Sequence, residues 1–161
     1  MWQELITVVD NLRRAYQSLA SLEKKKHQAL VTVDLPTVES LTREEEFIIN
    51  QVAKLEAKRR GLVLGISAKH YGENYDLTMA EVIDLASSVA LRDKLNRLHT
   101  DLTAWVNETQ AQNEINSILL HGALNAVNAS LSRIGGLKTE PVYGSGGQDI
   151  VTRKSKINFD A

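Results

Sequence analysis

Apolar side chains recur in this chain as two heptad stripes that mirror each other about Leu35, and this mirror restricts the fold more than any other feature. The first stripe is Leu5, Val8, Leu12, Ala15, Leu19, Leu22, Lys26 and Ala29, at alternating spacings of three and four. The second is Val38, Leu41, Glu45, Ile48, Val52, Leu55, Arg59, Leu62 and Ile66. Residues at this spacing share one face of a helix. Folding the chain at Leu35 into an antiparallel helical hairpin brings the stripes together in layers: Leu22 with Ile48, Leu19 with Val52, Ala15 with Leu55, Val8 with Leu62. The one lysine of the first stripe then meets the one glutamate of the second, Lys26 opposite Glu45. A polar pair inside an apolar seam costs stability and specifies register, because a slip of one heptad sets each charge against an apolar neighbour.

The local signals agree with the hairpin. The first helix is expected over about residues 2–32, weakened at its end by the β-branched Val31-Thr32-Val33. Asp34 caps the second helix and Pro36 sits in its first turn, where no backbone donor is needed. The second helix is expected to reach about Ala68, with Gly61 and Gly65 loosening its end. Glu44-Glu45-Glu46 lies near its start and Lys58-Arg59-Arg60 near its end, the order the helix dipole favours. Apart from the seam positions, these charge runs and Lys24-Lys25-Lys26 read as solvated faces. A connection over His70–Asp76 precedes the capping box Thr78-Met79-Ala80-Glu81 and a short helix to about Ala86. Ser87-Ser88 marks a bend or a new cap.

The last helix is the longest, about Val89 to Ile134, and would span roughly 65 Å. Leu91, Leu95, Leu98, Leu102 and Trp105 keep the three-four rhythm. It lapses through Asn107–Glu114 and resumes out of phase at Leu120, Leu124, Val127, Leu131 and Ile134, which points the apolar face towards another partner or changes the supercoil. Leu119 and Leu120 lie about 100° apart and cannot both face one narrow seam. One of them is therefore a candidate for an exposed position. Gly135-Gly136 ends the helix. Beyond it, Glu140-Pro141-Val142-Tyr143-Gly144-Ser145-Gly146-Gly147 has turn formers without periodicity, and Arg153–Ala161 is basic with two apolar anchors. The expected organisation is a helical unit, 1–136, and a flexible tail, 137–161. The fold class is all-α: an elongated antiparallel bundle or coiled coil of three long helices with one short connecting helix.

Composition narrows the chemistry. The chain has 161 residues, a formal net charge of −1 and no cysteine, with 43% hydrophobic but only 5% aromatic residues. Near-neutral charge argues against a nucleic-acid partner. The lack of cysteine removes disulfides, thiolate metal sites and thiol nucleophiles. No apolar run approaches the roughly 20 residues of a membrane span. Amphipathic sequence starts at Trp2, unlike a signal peptide, so the expected setting is cytoplasmic. Glu-x-x-His, the di-iron signature of helical bundles, does not occur. Glu23 and His27 share a helix face but read as an ion pair or as solvated groups rather than ligands. His70, His99 and His121 do not cluster with acids, and Gly144-Ser145-Gly146-Gly147 lacks the strand-to-helix context of a phosphate loop. No catalytic residue, metal site or cofactor is expected, and the chain reads as a binding protein rather than an enzyme.

The segment Gln112-Asn113-Glu114-Ile115-Asn116-Ser117-Ile118-Leu119-Leu120-His121-Gly122-Ala123-Leu124-Asn125-Ala126-Val127-Asn128 resembles the Asn-x-x-Asn-x-x-Leu-Leu-x-x-x-Leu-x-x-Val-Asn pattern of flagellar type III export chaperones of the FlgN type. Asp34-Leu35 followed by Leu41-Thr42-Arg43-Glu44-Glu45, and Tyr143-Gly144-Ser145-Gly146-Gly147, are similar to that family's second-helix start and tail. So is the closing Asn158-Phe159-Asp160-Ala161. Gly122 departs from the helix former usual there, which marks either a break in the last helix or close approach of a backbone. The resemblance implies a cytoplasmic chaperone that holds hook–filament junction proteins by their C-terminal helical segments and delivers them to the flagellar export gate and ATPase complex. It implies a client surface on the last helix: Leu119, Leu120, Ala123, Leu124, Val127 and Leu131, with Asn113, Asn116 and Asn128 as polar contacts that set register. Those asparagines also fit solvent exposure or hydrogen bonds between helices. Tyr143 is the candidate for docking on the export gate. The alternative is a structural coiled coil that self-assembles into a homo-oligomer through the out-of-phase stripe.

Overall fold

The computed structural model describes residues 1–73 and 75–135. Four helices follow one another: α1 (Trp2–Val31), α2 (Leu35–Tyr71), α3 (Met79–Asp84) and α4 (Val89–Gly135). No strand occurs among the described residues. The chain runs up α1, down α2, turns through α3 and runs up α4, so that α4 is parallel to α1 and antiparallel to α2.

The turn between α1 and α2 is short. The amide of Asp34 reaches back to the carbonyl of Ala29 at 2.8 Å. Its carboxylate then accepts bonds from the Thr37 amide at 3.3 Å and the Thr37 hydroxyl at 2.6 Å, the expected cap. Between them Val33 takes a left-handed backbone, φ 56°, a strained choice for a β-branched residue. It explains why α1 stops at Val31 rather than Thr32. At the far end α2 runs through Gly61 and Gly65 without interruption and reaches Tyr71, three residues past the expected end. The stop is Gly72, at φ 74°, whose amide bonds to Ala68. Thr78 and Glu81 form the full capping box of α3, and the Ser88 hydroxyl accepts from the Leu91 amide at 3.2 Å, so Ser88 is a cap for α4. The Arg92 guanidinium donates to the carbonyls of Asp84 and Ala86 and ties α3 to α4.

The hairpin has the register read from the stripes: the Lys26 ammonium meets the Glu45 carboxylate at 2.7 Å. What the stripes did not reveal is that α1 is the central helix, packed along its length on both α2 and α4. A second stripe of α1, Ile6, Val9, Tyr16, Ala20, Glu23 and Leu30, is buried beside the first. Its signal is the same three-four spacing, hidden by Arg13, Glu23 and His27. Leu95, Leu102 and Val106 of α4 join Val9, Tyr16, Val52, Val63 and the α3 residues Val82 and Ile83 in one core. A smaller core of Ala29, Leu30 and Val38 lies under the hairpin turn.

Candidate functional site

The α1–α4 interface changes character along its length. Near its start it is apolar. Further on, the Thr109 hydroxyl donates to the Tyr16 carbonyl at 3.3 Å. One heptad on, the Asn116 amide donates to the Glu23 carbonyl at 2.8 Å and to the Glu23 carboxylate at 2.6 Å. These two contacts give one constant register. The apolar rhythm does lapse after Trp105, but the seam itself continues in phase through the polar Thr109, Gln112 and Asn116 to Leu119.

Glu23 is fully buried and Asn116 is 2% exposed, so a carboxylate inside the bundle is held by hydrogen bonds rather than by water. Asn113 adds a bond to Glu23 at 3.3 Å, and Gln112 and His27 approach the Asn116 side-chain oxygen at 3.3 and 3.1 Å. Lys26 stands 3.7 Å from Glu23 and bridges it to Glu45. Three helices thus meet in one polar layer. Burial pushes the Glu45 carboxyl up to about 7, the hydrogen bond it shares with Glu23 adds to this, and Lys26 opposes both.

Beyond this layer α4 outruns its neighbours. The register set by Asn116 and Glu23 brings the end of α1 level with Leu124, and from there to Gly135 every residue of α4 is exposed. At 1.5 Å per residue this is an overhang of roughly 18 Å. It carries Leu124, Val127, Leu131 and Ile134, which fall on one helix face and are 44%, 44%, 62% and 84% exposed. Singly exposed apolar residues are ordinary; four exposed along one stripe are not.

The expected site residues separate accordingly. Leu124, Val127 and Leu131 stand on the free stripe and Asn128 is exposed beside it. Leu119 and Leu120 are both half-buried and both pack on the core under the hairpin turn, so neither is the fully exposed residue expected of the pair. Ala123 is also half-buried. Asn116 is spent inside the bundle and Asn113 is half-buried against Glu23, which places these two in the interhelical role. Tyr143 and the rest of the expected tail lie outside the described residues. Ile134, and Ile118 with 73% exposure on another face of α4, were not among the expected site residues. α4 is continuous through Gly122, where an added Cβ would meet nothing within 4 Å, so the glycine marks neither a break nor a close approach within the bundle. Among the described residues no three His, Asp or Glu side chains are grouped as a metal would need, and no helix is long and apolar enough to cross a membrane.

The family model described as FlgN protein matches residues 1–149. The chain belongs to the FlgN family. No curated protein and no solved structure matches it. FlgN proteins are flagellar export chaperones. The FlgN match includes both the polar layer and the overhang.

Proposed function

We propose that this chain is a chaperone of hook–filament junction proteins and that the overhanging stripe of α4 is its client surface. The observation that carries the reading is the stripe itself: Leu124, Val127, Leu131 and Ile134 extend past the end of α1 on one continuous helix. An amphipathic helix from the C-terminal segment of a client can lie along it and bury apolar surface that would otherwise drive the client to associate with itself. Leu119, Leu120 and Ala123 form the base of this surface, where it meets the hairpin turn, and Asn128 supplies a polar contact. Asn113 and Asn116 are left out of it, since they hold Glu23. Release needs only competition for the client, at the export gate and ATPase complex in the cytoplasm, and Tyr143 is proposed for gate docking on sequence grounds.

The test is titration of purified junction protein into wild type, Leu124→Asp and Val127→Asp. Each variant should weaken binding at least tenfold with helicity unchanged by circular dichroism, because a charge is forced into an apolar contact. Wild-type affinity in both would remove the stripe from the client surface. The same stripe can also pair with a second copy of the chain. Light scattering that grows with concentration, and that Leu124→Asp abolishes, would favour that self-assembling reading.

A further inference from the structure

A second surface lies on the other side of the bundle. An open groove of about 520 Å³ runs between α1 and α2, floored by Ala15, Ile48 and Leu55 and edged by Arg14, Ser18 and Lys54. At about 100° per residue, the α1 positions that line it point away from the stripe that packs on α4. The cause is one small side chain. In the layer where Ala15 faces Leu55, the alanine leaves the seam under-filled, and Ala15, Ile48 and Leu55 all stay half-buried. In the next layer towards the hairpin turn Leu19 and Val52 are both buried.

The charge around the groove is one-sided. Asp10 is shared by two guanidinium groups, Arg13 at 2.8 Å and Arg14 at 2.9 Å. Lys54 has no ion-pair partner among the described residues. The two charged side chains that line the groove, Arg14 and Lys54, are both cations, on a chain whose net charge is −1. The groove closes at one end with the neutral Glu4–Lys58 pair at 2.8 Å. Towards the hairpin turn Lys25 and Glu44 carry one charge of each sign.

We infer that this groove is a docking site for an acidic amphipathic helix of a partner protein. One apolar side chain of that helix seats over Ala15 between Ile48 and Leu55 and completes the open layer. Carboxylates one turn to either side face Arg14 and Lys54. The charge excess selects an acidic helix over a basic one, and Ser18 lets its backbone approach. The site is separate from the α4 stripe, so it would be occupied by a partner other than the one held there.

Two synthetic 18-residue helical peptides test this, with the same leucine stripe but flanked by glutamate in one and lysine in the other. Each is titrated into the full ¹⁵N-labelled chain. The glutamate peptide should shift the amide resonances of Ala15, Ser18, Gln51 and Leu55, bind at least tenfold more tightly than the lysine peptide, and weaken several-fold between 50 and 300 mM salt. Lys54→Glu, at an exposed position that does not threaten folding, should remove most of that preference, while Leu124→Asp should leave it intact. The inference is overturned if both peptides bind alike, if the shifts map to the α4 stripe, if neither peptide binds at millimolar concentration, or if the peptide-free chain dimerises through these same residues.

Discussion

The Glu23 carboxylate of α1 is fully buried and takes a 2.6 Å hydrogen bond from the Asn116 amide of α4. With the second bond from Asn116 to the Glu23 carbonyl, it sets the register of two parallel helices whose apolar contacts alone would tolerate a slip. Asn116→Leu should therefore destabilise the protein by about 2–4 kcal/mol, because it strands a buried carboxylate. Chemical denaturation measures this. Adding Glu23→Leu should recover most of the loss, since two apolar residues remove the unpaired group. The double variant should also lose the unique α1–α4 alignment, visible as multiple amide resonances along α4.

The hairpin register depends on a different pair. Lys26 and Glu45 meet at 2.7 Å, with Glu23 close to both. Lys26→Glu places three carboxylates together and should cost several kcal/mol, on the order of 3–5. Glu45→Lys added to it returns a cation to the same cluster and should restore much of the loss. A coupling energy above about 1 kcal/mol in the double-mutant cycle is expected, and near-additive effects would mean the pair does not act as a unit.

Much of this was legible in the sequence, for a physical reason. Heptad spacing reports a helix face, and two facing stripes of nearly equal length leave one register that pairs Lys26 with Glu45. The capping residues Asp34 and Thr78 fixed two helix starts. The central position of α1 was hidden because Arg13, Glu23 and His27 interrupt its second stripe, and a buried glutamate looks the same in sequence as a solvated one. The hydrogen bonds that satisfy the Glu23 carboxylate come from Asn113 and Asn116 of α4, about ninety residues away in the chain. The overhang of α4 was half visible: spacing gave the face of Leu124, Val127 and Leu131, but where cover ends depends on how α4 aligns with α1. The same alignment converted Asn116 from a candidate client contact to an internal one.

The polar layer should make stability depend on pH. The Glu45 carboxyl is raised from 4.5 to about 7, chiefly by burial. The folded chain therefore holds a proton there that the unfolded chain has released. Its contribution is fully present below pH 4.5 and lost as pH rises through about 7. His99 acts with the opposite sign: burial first, then Arg59, lowers it, so its contribution is present above the ordinary histidine range and lost as pH falls. The informative quantity is the difference between wild type and Glu45→Gln. Wild type should lose on the order of 2 kcal/mol relative to the variant between pH 4.5 and pH 8. A difference that does not change with pH would place the Glu45 titration in the ordinary range.

Gly122 separates two ways of holding a client. Its Cβ position is empty and its backbone is helical, so Gly122→Ala should stabilise that stretch of α4 by about 0.5–1 kcal/mol. Slower amide exchange around residue 122, by a few-fold, would register it. At 100° per residue Gly122 lies nearly opposite the Leu120–Leu124–Val127–Leu131 stripe and on the same side as Ile115 and Ile118, both exposed. A client helix confined to the stripe does not reach the new methyl group, and its affinity should change by less than about twofold, roughly 0.4 kcal/mol. That is the expected result. A tenfold loss would instead show the client wrapping α4 on both faces, with the glycine admitting its backbone and Ile118 as a further anchor.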